Sequence, residues 1–133
     1  MEVDFNLLNL EMSANHIIFV ARLHIIYKYI MVKHIILWKL RDDLTEEEKQ
    51  CVKKDIKAGL EGLAGRIPGL LNIVVNIDGR LDSSNADVML DSTLADEAAL
   101  KAYAVHPEHV AVADGKVRPY TCLRTCFDYM IND

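Results

Sequence analysis

This 133-residue sequence has no block of basic residues. Its 15 Lys and Arg residues are outnumbered by 20 Asp and Glu residues, which gives a formal net charge of −5. Nucleic-acid-binding proteins normally concentrate Lys and Arg in a stripe or patch. We therefore expect no nucleic-acid partner, and the length indicates one main domain.

Cysteine is also scarce. The chain has three cysteines, Cys51, Cys122 and Cys126, an odd number without the paired spacing of zinc sites. Cys122 and Cys126 would lie about 13 Å apart along a strand, which is too far for a disulfide bond between them. Three reduced thiols are typical of a cytoplasmic protein.

A long, uninterrupted apolar run is missing as well. The most apolar stretch, HIIFVARLHIIYKYI at 16–30, contains Arg22 and Lys28, whereas a membrane-spanning helix needs about 20 mostly apolar residues. Glu2 and Asp4 stand where a signal peptide carries positive charge. We expect neither a membrane partner nor a secretion signal.

The first thirty residues differ in character from the rest of the chain. Met31 is followed at once by VKHIILWKL, a clear strand pattern. The sequence therefore predicts a domain at 31–133 and an N-terminal extension at 1–30, which could come from a misassigned upstream start. The alternative is an additional apolar strand or helix that packs on the domain.

Apolar periodicity predicts four strands and a first long helix. The strands are predicted at 32–40, 70–78, 86–94 and 120–130. Thr45 and Glu48 match a capping box, which predicts the start of a helix between the first two strands. Apolar residues then recur every three or four positions, and this stripe consists of Val52, Ile56, Leu60, Leu63 and Ile67. Gly59 and Gly62 would let this helix lie close to a sheet.

Two shorter helices are predicted before the last strand. Thr93 with Asp96 resembles a cap for a helix over LADEAALKAY. That helix should end near Val105, because the residue before a proline disfavours helical backbone. Pro107 suits the first turn of another short helix, with His106 as its capping residue.

The resulting βαββαβ order predicts an α+β, ferredoxin-like fold with an antiparallel sheet and its helices on one face. Ile36 and Trp38 are predicted to lie on the face that the helices leave open. Covering that face with the same face of a second subunit would give a homodimer, a dimeric α/β barrel with an interior chamber.

Four motifs resemble one known family. In order they are MVKHIILWKL, LTEEEK, YAVHPEHV and FDY, and the resemblance extends over about residues 31–130. They are similar to the stress-responsive dimeric α/β-barrel (Dabb) family. The resemblance implies a ferredoxin-like homodimer with a pocket between sheet and helices.

One plant branch of that family, the olivetolic acid cyclase type, closes a polyketide ring by an aldol reaction without metal or cofactor. The resemblance to this branch implies four working residues, which are Tyr103, His109, His34 and Asp128. His109 would remove a proton next to a carbonyl group, with Asp128 on its other ring nitrogen. Tyr103 would donate a hydrogen bond to the carbonyl oxygen, and His34 would assist or position the ligand.

The chain also departs from the cyclase branch. That branch lines its pocket with aromatic residues of the first helix, where this chain has Val52, Lys53 and Ile56. Apolar positions of its last strand appear here as Arg124 and Cys126. These differences argue against its long apolar substrate.

Arg124 is predicted to share a strand face with Asp128, and two partners for its guanidinium remain open. One is Asp87 or Asp91 of the third strand. The other is a carboxylate or phosphate on a ligand. Ile36, Trp38 and Arg124 are therefore the predicted ligand-binding residues.

Simpler interpretations accompany these roles. His106 is most simply a helix cap, and a histidine on an apolar strand such as His34 is often a hydrogen-bonded core residue. His106, His109 and His34 could in principle bind a metal, but a cap would point His106 away, so we predict no metal and no cofactor.

The favoured function is a cofactor-free lyase, cyclase or isomerase that acts on a small carbonyl compound. The alternative is a non-catalytic, stress-associated protein that binds a small molecule. An oxygenase of the related dimeric type is disfavoured, because no motif marks a haem or flavin site.

Overall fold

The computed structural model describes residues 3–131, with side chains described for 13–26 and 30–131. The terminal residues 1–2 and 132–133, which belong to the predicted extension and domain, lie outside it. The elements are α1 (Val3–Ile30), β1 (Val32–Leu40), α2 (Glu46–Glu61), β2 (Leu70–Asn76), β3 (Val88–Leu94), α3 (Glu97–Val105), α4 (Pro107–Val112) and β4 (Thr121–Met130).

The predicted order of strands and helices is confirmed. The strands form one antiparallel sheet in the order β2-β3-β1-β4, and α2 to α4 lie on one of its faces. This is the ferredoxin-like α+β fold. The three cysteines are free thiols, as expected.

Local capping agrees with the sequence at two of three helix starts. Thr45 and Glu48 make the reciprocal hydrogen bonds of a capping box at α2, and His106 caps α4 with Pro107 in its first turn. The prediction of Thr93 as the cap of α3 was wrong. Asp96 holds that position and accepts from the backbone N–H of Ala99 at 2.7 Å, while Thr93 belongs to β3.

The core lies between the sheet and the helices. All five residues of the apolar stripe that the sequence predicted between the first two strands are buried in this core. Helix α2 itself ends at Glu61, so Leu63 and Ile67 enter the core from the turns that follow it. The prediction that Ile36 and Trp38 face away from the helices was wrong. Both are buried in this core within the single chain, at 1% and 6% exposure.

The opposite sheet face carries the uncovered apolar surface. It alternates with the core positions of each strand, and we call it the open face. Its exposed or half-buried apolar residues include Ile35, Leu37, Val74, Met89, Leu123, Phe127 and Tyr129. An uncovered face therefore exists as predicted, but other residues form it, because the even-numbered positions of β1 are the ones that the helices cover.

A glycine sets the approach of α4 to α2. A Cβ atom on Gly59 would lie 2.9 Å from Cγ1 of Val112, closer than real Cβ contacts allow. Gly59 thus permits close packing against α4, whereas the sequence suggested close packing against the sheet. This contact matters because α4 carries His109.

Helix α1 does not pack on the domain over its described side chains. Every residue of 13–26 is exposed, including Ile18, Phe19 and Ile25. In the described part of the chain, no helix is both long enough and apolar enough to cross a membrane.

Candidate active site at the edge of the sheet

The turn between α3 and α4 places an aromatic and an imidazole ring side by side. Tyr103 lies in the last turn of α3, and His109 follows in α4 after the His106–Pro107 break. Their ring centroids are 4.2 Å apart. His34 of β1 approaches the same tyrosine edge-on, at 6.0 Å between centroids. Tyr103 therefore lies between two histidines.

These rings line a cavity of about 330 Å³ between the sheet and the helices. The structure brings six of the seven predicted site residues into its wall, namely His34, Ile36, Trp38, Tyr103, His109 and Arg124. Asp128, the seventh, contacts His34 from β4. Cavities of this size accommodate small organic ligands.

Sequence reasoning did not find every residue of the wall. Arg118, Ala113 and Val117 also line the cavity, and they lie in the π-helical and 3₁₀ turns that connect α4 to β4. No periodic pattern marks these turns in the sequence.

The hydroxyl group of Tyr103 has no hydrogen-bond partner among the described residues, although the side chain is only 1% exposed. Burial raises the pKa of Tyr103 to about 12, so the phenol keeps its proton near neutral pH. A buried donor without an acceptor costs about 1–3 kcal/mol. A ligand oxygen in the cavity would supply the missing acceptor.

His34 and Asp128 form a tight pair across two strands. They lie opposite each other in the β1–β4 register, and Nδ1 of His34 donates to Oδ1 of Asp128 at 2.5 Å. In the neutral ring this bond leaves the lone pair on Nε2. His34 therefore has an oriented tautomer and can act as a base through Nε2.

His109 is oriented by a different group from the one predicted. Its Nδ1 lies 3.2 Å from the carbonyl oxygen of Ala104, which can only accept, so a neutral ring keeps its proton on Nδ1. The prediction that Asp128 orients His109 was therefore wrong, since Asp128 pairs with His34. Each imidazole has its own acceptor on Nδ1.

Burial lowers the pKa of His109 below its ordinary value, the Ala104 carbonyl opposes this effect, and electrostatic interactions with Arg118, His34 and Arg124 lower the pKa further. The neutral, basic form of His109 is therefore available over a wider pH range than in a free histidine. This is the protonation state that proton abstraction requires.

We expect His109 to make the folded protein less stable in acid. Its pKa is lowered in the folded state from the model-compound value of 6.5, so the unfolded chain binds more protons and stability falls as the pH drops through that value. Between about pH 8 and about pH 5, the melting temperature should fall less for His109→Gln than for wild type. Equal losses in the two proteins would contradict the prediction.

Arg124 points into the cavity from β4, opposite Trp38 in the register. Neither predicted aspartate pairs with it. Asp87 accepts from the backbone N–H of Leu40 and lies near Arg80, and Asp91 pairs with Lys33. The described residues contribute two guanidinium groups and no carboxylate to the cavity wall.

The structure does not bring His106, His109 and His34 together as the ligands of one metal ion. His106 uses Nδ1 to accept from the backbone N–H of Glu108, as a helix cap does. Among the described residues, the side chains close enough to share a metal ion are instead His34, Cys126 and Asp128.

Comparison with solved structures shows the same fold in several proteins. A dimeric protein of unknown function with a ferredoxin-like fold from Bacteroides fragilis is 36% identical, with a TM-score of 0.70 over 75% of this chain and 95% of that one. A Dabb family protein from Mesorhizobium loti is 21% identical, with a TM-score of 0.58 over 75% and 95%. A hydroxynitrile lyase from Passiflora edulis is 16% identical, with a TM-score of 0.61 over 79% and 96%.

A search of curated proteins found no match. The family model of the stress-responsive A/B barrel domain matches residues 32–131, from the first residue of β1 to just beyond β4. The match begins where the chain leaves α1, and it includes every residue of the cavity wall. The chain therefore belongs to the stress-responsive A/B barrel domain (Dabb) family.

Proposed function

We propose that each subunit binds a small carbonyl compound in the cavity between the sheet and α3–α4, and that it catalyses a cofactor-free lyase, cyclase or isomerase reaction there. The observation that carries the proposal is the buried hydroxyl of Tyr103, which lies between two imidazoles and has no hydrogen-bond partner in the part of the chain that the structure describes. A carbonyl oxygen would satisfy that hydroxyl, and it would place the adjacent carbon near a base.

The proposed chemistry is proton abstraction next to the carbonyl group. Nε2 of His34 or His109 takes the proton, and the electron pair of the broken C–H bond moves onto the carbonyl oxygen. Tyr103 stabilises the resulting enolate by its hydrogen bond, because the cavity supplies a donor where negative charge develops. The enolate then attacks a second carbonyl group, whose oxygen takes the proton from the imidazolium, or a conjugated enolate takes that proton back at another carbon.

Asp128 has a positioning role in this scheme. By accepting the Nδ1 proton of His34, it keeps Nε2 unprotonated and stabilises the imidazolium that forms after proton transfer. The carbonyl group of Ala104 performs the first of these tasks for His109. The two bases therefore differ, since only His34 has a charged partner.

Arg124 and Arg118 favour a substrate that carries an acidic group. Arg118 is paired with Asp114 on its own turn, whereas no described residue forms an ion pair with Arg124. A guanidinium binds a carboxylate through two parallel hydrogen bonds. The proposed substrate class is accordingly a short carbonyl compound with a carboxylate.

We further propose that the chain is a homodimer closed over the open face. The apolar side chains of that face are exposed in the single subunit, Phe127 at 66% and Leu123 at 59%. Contiguous apolar patches of this kind usually mark an interface. The 36% identical Bacteroides fragilis protein is described as dimeric, which supports the same assembly here.

Deuterium exchange tests the catalytic proposal directly. The protein is incubated in D₂O with 4-oxopentanoate or with its neutral analogue 2-pentanone, and the loss of α-proton signals is followed by NMR. We expect wild type to accelerate exchange, and we expect the variant that removes the base, His34→Gln or His109→Gln, to lose about 100-fold or more of the rate, as is typical when a general base is removed. The Arg124→Met substitution should slow deuterium exchange of 4-oxopentanoate more than that of 2-pentanone.

Thermal shift with the same two compounds separates the outcomes. If 4-oxopentanoate raises the melting temperature but its protons do not exchange, the protein binds the compound without catalysis, and the enzymatic proposal is wrong. Exchange that is unchanged in both histidine variants would contradict the roles given to them. If neither compound binds nor exchanges, the carbonyl class is wrong.

A further inference from the structure

We propose that His34, Cys126 and Asp128 form a binding site for a zinc-like divalent cation at the β1–β4 edge of the sheet. Each residue offers one ligand atom, and the three atoms lie within 4.8 Å of one another. The trio combines an imidazole, a thiol and a carboxylate, which are the three ligand types of protein zinc sites.

The pairing of two strands assembles this trio. In the β1–β4 register, His34 lies opposite Asp128, and Ile36 lies opposite Cys126. Cys126 and Asp128 are two residues apart on β4. Residues two apart on a strand project to the same side. The backbone ladder therefore holds all three side chains together, independently of any loop.

The arrangement suits a shared ion better than a nucleophilic cysteine. Oδ1 of Asp128 and Sγ of Cys126 approach the same ring nitrogen, Nδ1 of His34, at 2.5 and 4.0 Å. A catalytic Cys-His-Asp relay needs the thiol and the carboxylate on opposite ring nitrogens. Here the thiol sulfur and the carboxylate oxygen both lie next to Nδ1, as two ligands of one metal ion would.

Small side-chain shifts would create tetrahedral spacing. Zinc–ligand bonds of about 2.0–2.3 Å place ligand N and O atoms about 3.4 Å apart and N and S atoms about 3.6 Å apart. Asp128 would retreat from His34, and Cys126 would approach it slightly. Both are exposed, so neither movement disturbs the core, and water can take the fourth position.

Ligand chemistry selects the ion. Thiolate and imidazole favour zinc and other late first-row metals over magnesium or calcium. Metal binding displaces the proton of the Cys126 thiol, so the occupied site contributes two negative charges, from Asp128 and Cys126, to a divalent ion.

Metal binding would also change the tautomer of His34. A metal on Nδ1 leaves the ring proton on Nε2, so Nε2 changes from acceptor to donor. If His34 is the base of the proposed proton abstraction, the ion is an inhibitor of that reaction. This consequence rests on the proposed function, whereas the metal site itself does not.

Cobalt spectroscopy on the full-length chain tests the site without an activity assay. Co²⁺ is titrated into reduced protein, and the near-ultraviolet thiolate-to-cobalt charge-transfer band is recorded together with the visible bands of tetrahedral Co²⁺. We expect one Co²⁺ per chain, displaced by Zn²⁺. Cys126→Ser should abolish the charge-transfer band, and His34→Gln should weaken Zn²⁺ binding by about 10–100-fold or more.

Cys51→Ser and Cys122→Ser are matched controls that keep the other thiols, and both should retain the wild-type spectrum. Circular dichroism checks that each variant is folded. A band that persists in Cys126→Ser, or one that is lost with Cys51 or Cys122, overturns the assignment. So does a wild-type protein that gives no thiolate band.

Discussion

Tyr103→Phe is expected to raise the melting temperature of the ligand-free protein while weakening ligand binding. The variant removes a buried hydroxyl that none of the described side chains or backbone groups hydrogen-bonds. Burial of such a group costs about 1–3 kcal/mol, and the variant keeps the ring that packs between His34 and His109. A gain of about 1 kcal/mol corresponds to an increase of about 4–5 °C for a domain of this size.

The same substitution should weaken affinity for 4-oxopentanoate by about 2- to 10-fold, since a hydrogen bond contributes about 0.5–1.5 kcal/mol. Differential scanning fluorimetry gives the melting temperature, and calorimetric titration gives the affinity. Tyr120→Phe, at a partly exposed tyrosine outside the cavity wall, is the control and should change neither. A Tyr103→Phe protein that is less stable than wild type would show that the hydroxyl has a structural partner and is not waiting for a ligand.

Phe127→Asp is expected to convert a dimer into monomers. Phe127 projects from the middle of β4 onto the open face, and a two-fold interface repeats every substitution. If each copy contributes about 2 kcal/mol or more, as buried aromatic anchors do, the two copies weaken the dimer by about 1000-fold or more. Light scattering coupled to size-exclusion chromatography measures the mass at micromolar concentration.

Val105→Asp is the matched control for the dimer. Val105 is an equally exposed apolar residue, but it lies at the end of α3 on the helical side, so its variant should remain dimeric. A wild-type protein that is monomeric at the same concentration would refute the assembly. A Phe127→Asp protein that stays dimeric would move the interface to another surface.

Much of the fold follows from local patterns. Alternation in β1 and the three- to four-residue spacing in α2 are properties of neighbouring positions, so the chain itself reveals them. The capping box at Thr45 and the proline at the start of α4 are equally local. The misplaced cap at Thr93 shows the limit, because Thr93 and Asp96 have similar capping preferences and the length of β3 decides between them.

The sequence predicted which residues form the candidate site, and the structure corrected which of them form hydrogen bonds with each other. The sequence and its family resemblance identified Tyr103, His109 and His34, and the structure places them around one cavity. The partner of Asp128 could not be read from the chain, because it depends on the β1–β4 register. That register puts Asp128 opposite His34 and leaves His109 to the Ala104 carbonyl.

By itself, the sequence determined the order of strands and helices, the helix break at His106–Pro107 and the residue types available for chemistry. Only the tertiary structure decided which face of β1 the helices cover, since both faces are apolar and alternation cannot distinguish them. It also decided that Cys126 joins His34 and Asp128. These contacts link residues more than 90 positions apart, and their geometry is set by strand pairing, which no local pattern records.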